Sequence, residues 1–321
     1  MLSVIICTHN PRWDYLQRCI DALREQRLAY NRWKLLVVDN RSDEPVAGRI
    51  DLFWHPDAHI VREEFLGLTA ARLRGIREST GDLLVFVDDD NVLDSDFLDT
   101  ALRTADESPY LGSWSGQCRP RFEEPPPEWT RRYWGNLCIR EFQQDVWSNL
   151  PRLPDTMPCG GGLCVRRHVA LRYLHLHESG KRSFQFDRTG TSLMSGGDED
   201  LAACACGLGL GVGLIASLRL THLIPPERLT ADYLARLAEG IHYSATRLDW
   251  EYGIQSSRRT ALGRLADFLR IMRLKQPHRR ILRAAFRGRD RAMRCLADSD
   301  TARAPFQDDH GLERSCQRDD R

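Results

Sequence analysis

Short β-branched runs alternate with amphipathic stretches through the first hundred residues, and this alternation constrains the fold more than any other feature of the chain. Leu2 to Cys7, Lys34 to Val38 and Asp82 to Val87 read as strands, whereas Leu16 to Leu28 and Leu68 to Ile76 carry apolar residues at helical spacing. Such β-α-β alternation predicts an α/β fold, with a mainly parallel sheet and helices on both faces. In open sheets of this kind ligands bind at the carboxyl ends of the strands. Polar residues follow the strands at those ends: Thr8-His9-Asn10, Asp39-Asn40 and Asp88-Asp89-Asp90-Asn91. One crevice could collect all three groups.

Beyond residue 108 the pattern loosens. Pro109 to Pro158 is rich in Trp, Arg and Pro and reads as an irregular insertion beside the crevice. A strand and helix return at Gly160 to Leu174, another helix is expected near Asp198, and Val212 to His222 reads as a strand pair. After Pro225-Pro226 the chain is expected to be helical to about Leu296, followed by a polar, frayed tail. The predicted division is a catalytic domain over 1–226, a basic helical extension over 227–297 and a tail over 298–321.

With 321 residues, 42% of them hydrophobic, the chain can bury a sizeable core. Its ten cysteines are scattered without a C-x-x-C pair and read as reduced thiols. The opening L-S-V-I-I-C reads as a first strand and not as a signal peptide, and no apolar run reaches the roughly 18 residues of a membrane span. A cytoplasmic protein is expected.

Asp88-Asp89-Asp90 follows directly on the apolar run L-L-V-F-V, so consecutive carboxylates arrive at one strand end where like charges repel. A hard cation such as Mg²⁺ or Mn²⁺ would resolve that conflict and could bridge to a diphosphate. The plainer alternative is a solvated turn capping the helix that begins after Asp94 and Asp96. A second acidic group, S-G-G-D-E-D-L from Ser195 to Leu201, could supply a general base, or could simply be an acidic helix N-terminus. Two such clusters together favour chemistry over capping.

With these motifs in order, the chain from Leu2 to about Arg228 resembles the family 2 glycosyltransferases. L-S-V-I-I-C-T-H-N is similar to the family's first strand and the loop under the nucleotide base, which implies donor contacts from Thr8 and Asn10. K-L-L-V-V-D-N resembles its second strand, whose terminal acid, here Asp39, would hydrogen-bond the base. L-G-L-T-A-A-R-L-R-G-I resembles the segment that usually reads A-R-N-x-G, placing Arg72 near the nucleotide, with Leu73 where Asn is usual. G-D-L-L-V-F-V-D-D-D-N resembles the D-x-D region. It implies Asp88 and Asp89 near ribose and diphosphate and Asp90 as metal ligand, with Asp88 a further ligand candidate.

P-C-G-G-G-L-C-V-R-R resembles the glycine-rich strand that approaches donor sugar and acceptor, so Cys159, Gly160, Gly161 and Gly162 are expected at the reaction centre. S-G-G-D-E-D-L is similar to the family's E-D-x-E-L-type motif, with Asp198 at the position of the base, Asp200 on a supporting acid, and Gly197 replacing the usual first acid. L-T-H-L-I-P-P-E-R-L-T resembles the segment after the last core strand, which makes His222 a third candidate ligand.

The resemblance implies a GT-A fold with a C-terminal helical extension. It also implies an inverting, Mn²⁺- or Mg²⁺-dependent transfer from a nucleoside-diphosphate sugar, a UDP-sugar first, to an acceptor hydroxyl on a glycan or lipid-linked molecule in polysaccharide or glycoconjugate biosynthesis. Two rival readings stand beside it. One is a degenerate nucleotide-sugar-binding module; the other is a sugar-nucleotide pyrophosphorylase-like enzyme, against which T-H-N-P-R-W stands where a glycine-rich loop would be wanted.

The net charge of +1 hides thirteen Arg or Lys residues between Arg258 and Arg294 against only Asp267 and Asp290. Leu262, Leu265, Leu269 and Met272 recur at helical spacing there, as do Ile281 with Ala285 and Leu282 with Phe286. Residues 258–296 could therefore lie peripherally on the inner face of an anionic membrane or pack on the catalytic domain. No nucleic-acid motif accompanies the arginines, so nucleic acid is not an expected partner.

Overall fold

The structure, a computed structural model, describes residues 1–182, 186–190, 192–254 and 260–299. Three strands, β1 (Leu2–Thr8), β2 (Trp33–Asp39) and β4 (Leu83–Asp88), form the parallel heart of a nine-stranded mixed sheet, with β3 (Ala58–Arg62) at one edge. Their residues divide by parity. Leu2, Val4, Ile6, Trp33, Leu35, Val37, Leu83, Val85 and Val87 enter the core on one face, and Ile5, Leu36, Val38, Leu84 and Phe86 enter the core on the other. Both faces are covered, which is why these strands read as unbroken apolar runs. Helices α1 (Trp13–Arg24) and α3 (Phe97–Glu107) lie on the first face, and α2 (Leu68–Glu78), α4 (Arg167–Glu178) and α5 (Gly197–Ala203) on the second.

The strand order is β3-β2-β1-β4, then β8 (Leu163–Arg166), β6 (Leu111–Phe122), β9 (Gly211–Ile224) and β5 (Asn91–Leu93). The chain leaves β1 to one side through β2 and β3 and returns on the other through β4. The crevice expected at a switch point thus opens beyond Thr8, which pairs with Asp39, and beyond Asp88, which pairs with Cys7. Direction then reverses: β8 (Leu163–Arg166) runs antiparallel to both β4 and β6 (Leu111–Phe122).

Two expectations need correction here. Pro109 to Pro158 is not wholly irregular, because β6 occupies twelve of its residues inside the sheet and β7 (Val146–Ser148) pairs at the far side of β9. Its buried Ser113, Ser115 and Gln117 break the apolar pattern, while Ser113 Oγ satisfies itself on the Ala202 carbonyl. Val212 to His222 belongs to one fourteen-residue strand, β9 (Gly211–Ile224), which runs parallel to β6 and is not a hairpin.

The short strand β5 (Asn91–Leu93) pairs antiparallel with β9 and sets Asn91 opposite His222. This pairing joins the acidic end of β4 to the last core strand.

The expected C-terminal helices are α6 (Ala231–Glu251), α7 (Ala261–Arg273) and α8 (His278–Ser299). Helix α6 starts at Thr230, whose side chain accepts the Tyr233 N–H. Helix α8 crosses α6 where Gly288 lets the backbones meet; a Cβ there would lie 2.1 Å from the Glu239 carbonyl oxygen. Ile281, Ala284 and Ala285 share a core with Leu234, Leu237 and Ala238 of α6. Part of the basic stretch, Arg258 and Arg259, and most of the expected tail lie outside the described residues.

Candidate active site

A continuous cleft opens at the carboxyl ends of β1 and β4. Its two lobes share Leu68, Asp88, Asp90, Arg188 and Arg228. Thr8, His9, Asn40 and Asp89 line one lobe, and Arg72, Gly160, Gly161, Asp187, Asp198 and His222 line the other.

The acidic triplet does not behave uniformly. Burial, reinforced by Asp90, pushes the Asp89 carboxyl up to about 7, and Thr8 Oγ1 donates to it. Asp88 is raised too, by burial and then by Asp90. At Asp90 burial acts in the same direction, but His222 and Arg228 overcome it and hold the carboxyl well below its usual range. Arg228 Nη1 lies 2.8 Å from Asp90 Oδ2 and 3.0 Å from His222 Nε2, and those two atoms are 3.4 Å apart.

The Leu137 carbonyl, 3.1 Å from His222 Nδ1, requires an N–H there, so in the neutral ring Nε2 presents its lone pair to the cleft. Beside this group Asn91 donates to Asp90 Oδ1, while its own Oδ1 is buried without a partner among the described residues. A carboxylate and an imidazole therefore converge on a point already held by a cationic nitrogen, with an orphaned carbonyl oxygen nearby. This donor set fits a divalent ion if Arg228 swings aside. Among the described residues no group of three His, Cys, Asp or Glu side chains is arranged around a metal-sized point.

The three acids of the second cluster occupy the first turn of α5 and point in three directions. Asp198 faces the cleft, where the Gly160 N–H donates to its Oδ2 at 2.6 Å. Glu199 pairs with Arg152 outside it. Asp200 is fully buried behind the cleft and bound by Arg182 Nε at 3.2 Å and by the Tyr252 hydroxyl at 3.0 Å.

Burial drives the Asp200 carboxyl up to about 6 despite those donors. For Arg182 the balance runs the other way, since pairing outweighs its burial. With Arg182 Nε and the Tyr252 hydroxyl donating to its oxygens, Asp200 is read as ionised at neutral pH.

The glycine-rich segment approaches closely. Gly162 has φ +66°, and a Cβ there would meet the Phe97 ring at 2.7 Å. Cys159 is buried; a hydrogen bond from Cys138, with help from Arg140 against burial, brings its thiol down to about 6.

Asp39 is buried at the end of β2, with Oδ1 bound by the Ser42 N–H and Oδ2 by the Val46 N–H and Arg62. Its neighbour Asn40 lines the cleft and fixes the loop into α2, donating to the Phe65 carbonyl and accepting from the Gly67 N–H. Asn10, at φ +48°, exchanges hydrogen bonds with Asp43.

Arg72 is buried against Asp187, its Nη1 donating to both carboxylate oxygens at 2.9 and 3.0 Å, and Thr69 also donates to Asp187. A Cβ on Gly197 would stand 2.0 Å from Asp187 Oδ2. Where Gly197 lacks an acid, the Asp187 carboxylate fills the space. Sequence reasoning missed Asp187, Arg188 and Arg228, and gave Asn91, one of the polar residues after β4, no role of its own. Asp187 and Arg188 sit in a stretch with no periodicity; Arg228 lies within the segment L-T-H-L-I-P-P-E-R-L-T, from which His222 alone was singled out.

Residues 3–168 match the family model described as Glycosyl transferase family 2. Among curated relatives, glycosyltransferase AglE of Haloferax volcanii is 32% identical over 92 residues, covering 28% of this chain and 30% of its own. The stretches matched in such relatives span from 14% to 41% of their length. Among solved structures, residues 1–349 of TarS from S. aureus in complex with UDP-GlcNAc superpose with a TM-score of 0.52 at 14% identity, covering 88% of this chain and 79% of that one. The mannosyltransferase PcManGT from Pyrobaculum calidifontis, in complex with GDP-Man and Mn²⁺, gives 0.51 at 18% identity over 94% and 76%. The fold is therefore of the GT-A type.

Proposed function

The chain belongs to glycosyl transferase family 2, and from that premise we propose that it transfers a sugar, with inversion, from a nucleoside-diphosphate sugar to an acceptor hydroxyl on a glycan or lipid-linked molecule. The observation that carries this reading is Asp198: of three consecutive acids it is the one whose carboxylate faces the cleft, oriented by the Gly160 N–H and lining the same lobe as the Asp90 and Arg228 group. The domain division follows from the same reading, with the catalytic part over 1–226 and the helices after it. Arg228, just past that boundary, completes the cleft.

In this mechanism Asp198 accepts the proton of the acceptor hydroxyl as its oxygen attacks the anomeric carbon from the face opposite the diphosphate. The carbon–oxygen bond to the nucleoside diphosphate breaks, and its electrons leave with the phosphate. Asp90 and His222 would hold a Mn²⁺ or Mg²⁺ ion, which when bound stabilises the charge of the departing diphosphate. Arg188 and Arg228 line the same lobe and add positive charge there. Thr8 and Asn40 shape the nucleotide side, while Arg72 and Asp187 brace the wall behind Gly160. UDP-GlcNAc and GDP-Man in the TarS and PcManGT complexes support a nucleotide-sugar donor without choosing between the two nucleotides.

The arrangement of Arg228 supports a second reading, in which its guanidinium serves the diphosphate in place of an ion. Calorimetric titration with UDP, GDP and other nucleoside diphosphates, with and without Mn²⁺, separates the two. Metal-dependent binding of one nucleotide that disappears in Asp90→Ala supports the ion. Metal-independent binding that disappears in Arg228→Ala supports the arginine. Absence of binding to every nucleotide would overturn the glycosyltransferase reading.

A further inference from the structure

Helices α7 and α8 are both basic and amphipathic, yet among the described residues only α8 spends its apolar face on the protein. On α8, Ile281, Ala284 and Ala285 are buried against α6, and Arg280 and Arg287 pair with Asp232 and Glu239 of that helix. On α7 the large apolar side chains Leu262, Leu265, Phe268, Leu269 and Met272 are 46 to 79% exposed. At 100° per residue these five fall within an arc of roughly 120°, one continuous stripe along the helix. Ile271, on another side of the wheel, is buried and attaches the helix to the body. Arg279 further ties the end of α7 to the start of α8 by donating to the Leu274 and Met272 carbonyls.

The stripe is bordered by cations. Arg273 and Arg270 follow it around the helix on one flank, Lys275 comes just after, and all three are exposed. Asp267, the acid within the helix, falls on the opposite side of the wheel from the stripe. An apolar face with a one-signed basic border suits a surface that is apolar inside and anionic at its rim. It suits a second copy poorly, because a two-fold contact would bring the same cationic border toward itself.

We propose that α7 is a docking surface for an anionic lipid bilayer, its Leu262-to-Met272 stripe entering the acyl boundary while Arg270, Arg273 and Lys275 meet lipid phosphates. The proposal concerns only this helix and does not rest on which sugar or nucleotide the cleft takes. It complements a lipid-linked acceptor by placing the enzyme at the surface where such a molecule resides.

Flotation of the full chain with vesicles, in the absence of nucleotide, tests it. The wild-type chain is expected to float with phosphatidylglycerol-containing vesicles, not with pure phosphatidylcholine, and to be released as salt is raised. Leu265→Gln/Leu269→Gln and Arg270→Glu/Arg273→Glu change exposed side chains and should each lower partitioning at least tenfold with nucleotide binding unchanged. Failure of the wild type to float, or flotation of both variants like the wild type, overturns the proposal. So does a wild-type dimer that ignores vesicles and becomes monomeric in the leucine variant, which would make the stripe a self-interface. Nucleotide titration of the same samples keeps a failure of the donor site separate from a failure of lipid binding.

Discussion

Arg228 reaches across to Asp90 at 2.8 Å, so an arginine from beyond the last core strand neutralises the carboxylate that follows β4. The same guanidinium nitrogen occupies the point where His222 Nε2 also converges. Replacing Arg228 with Ala removes a competing cation and frees both donors. Mn²⁺ binding to the nucleotide-free protein, followed by electron paramagnetic resonance, is expected to tighten about tenfold, equivalent to about 1.4 kcal/mol. Unchanged or weaker binding would mean that Arg228 does not compete with an ion for these ligands.

For the proposed base the expected signature is kinetic. Asp198→Asn preserves shape and leaves the Gly160 N–H an oxygen to bind, but it cannot take a proton. Transfer should fall by roughly 10² to 10⁴-fold, the usual worth of general-base catalysis, while donor affinity measured by calorimetry stays within about twofold. Transfer at the wild-type rate would remove Asp198 from the mechanism.

A different loss is expected at the Arg72–Asp187 pair, where both side chains are almost completely buried. Asp187→Ala leaves the Arg72 charge without its carboxylate partner and should destabilise the fold by about 3–5 kcal/mol. Gly197→Ala acts from the other side, driving a methyl group to within 2.0 Å of Asp187 Oδ2, and should cost about 1–3 kcal/mol. Denaturant unfolding of both variants checks the pair; wild-type midpoints would show that this wall of the cleft yields.

The parallel strands and the helices between them were legible because both faces of β1, β2 and β4 are covered, so burial wrote itself into unbroken apolar runs. The buried serines and Gln117 of β6 carry no such pattern, since their polarity is answered by partners distant in sequence, such as the Ala202 and Ala216 carbonyls. The same contrast governs the site. Asp88 to Asp90 and Asp198 announce themselves by clustering beside a strand or glycines. Arg228, Asn91 and Asp187 matter through the β5–β9 pairing and through the space at Gly197, neither of which leaves a local signature.

Cysteine chemistry offers a spectroscopic check on the cleft floor. Cys138 donates to Cys159 and, with Arg140, stabilises its thiolate, bringing the Cys159 thiol from an ordinary 9.0 to about 6. In Cys138→Ala the donor is lost while burial continues to disfavour the charge. The ultraviolet thiolate absorbance that the wild type develops near pH 6 should therefore shift upward by at least one pH unit. An identical titration in the variant would show that the two thiols do not communicate.

Asp200 supplies a pH dependence whose sign is fixed by burial. Its carboxyl rises from 3.8 to about 6 on folding, chiefly by burial, against the pull of Arg182 and Tyr252 and with Glu251 adding like charge. A folded pKa above the unfolded one means that the folded state binds more protons between about pH 4 and 6. The stability this group contributes is thus fully present below pH 4 and is lost as pH rises through 6, by up to about 3 kcal/mol in all. Asn at this position cannot titrate. The stability advantage of the wild type over Asp200→Asn, from denaturant unfolding, should therefore shrink between pH 4.5 and pH 7.5. An advantage that grows over that interval would mean that the Arg182 and Tyr252 donors outweigh burial and that the Asp200 carboxyl is depressed in the folded protein.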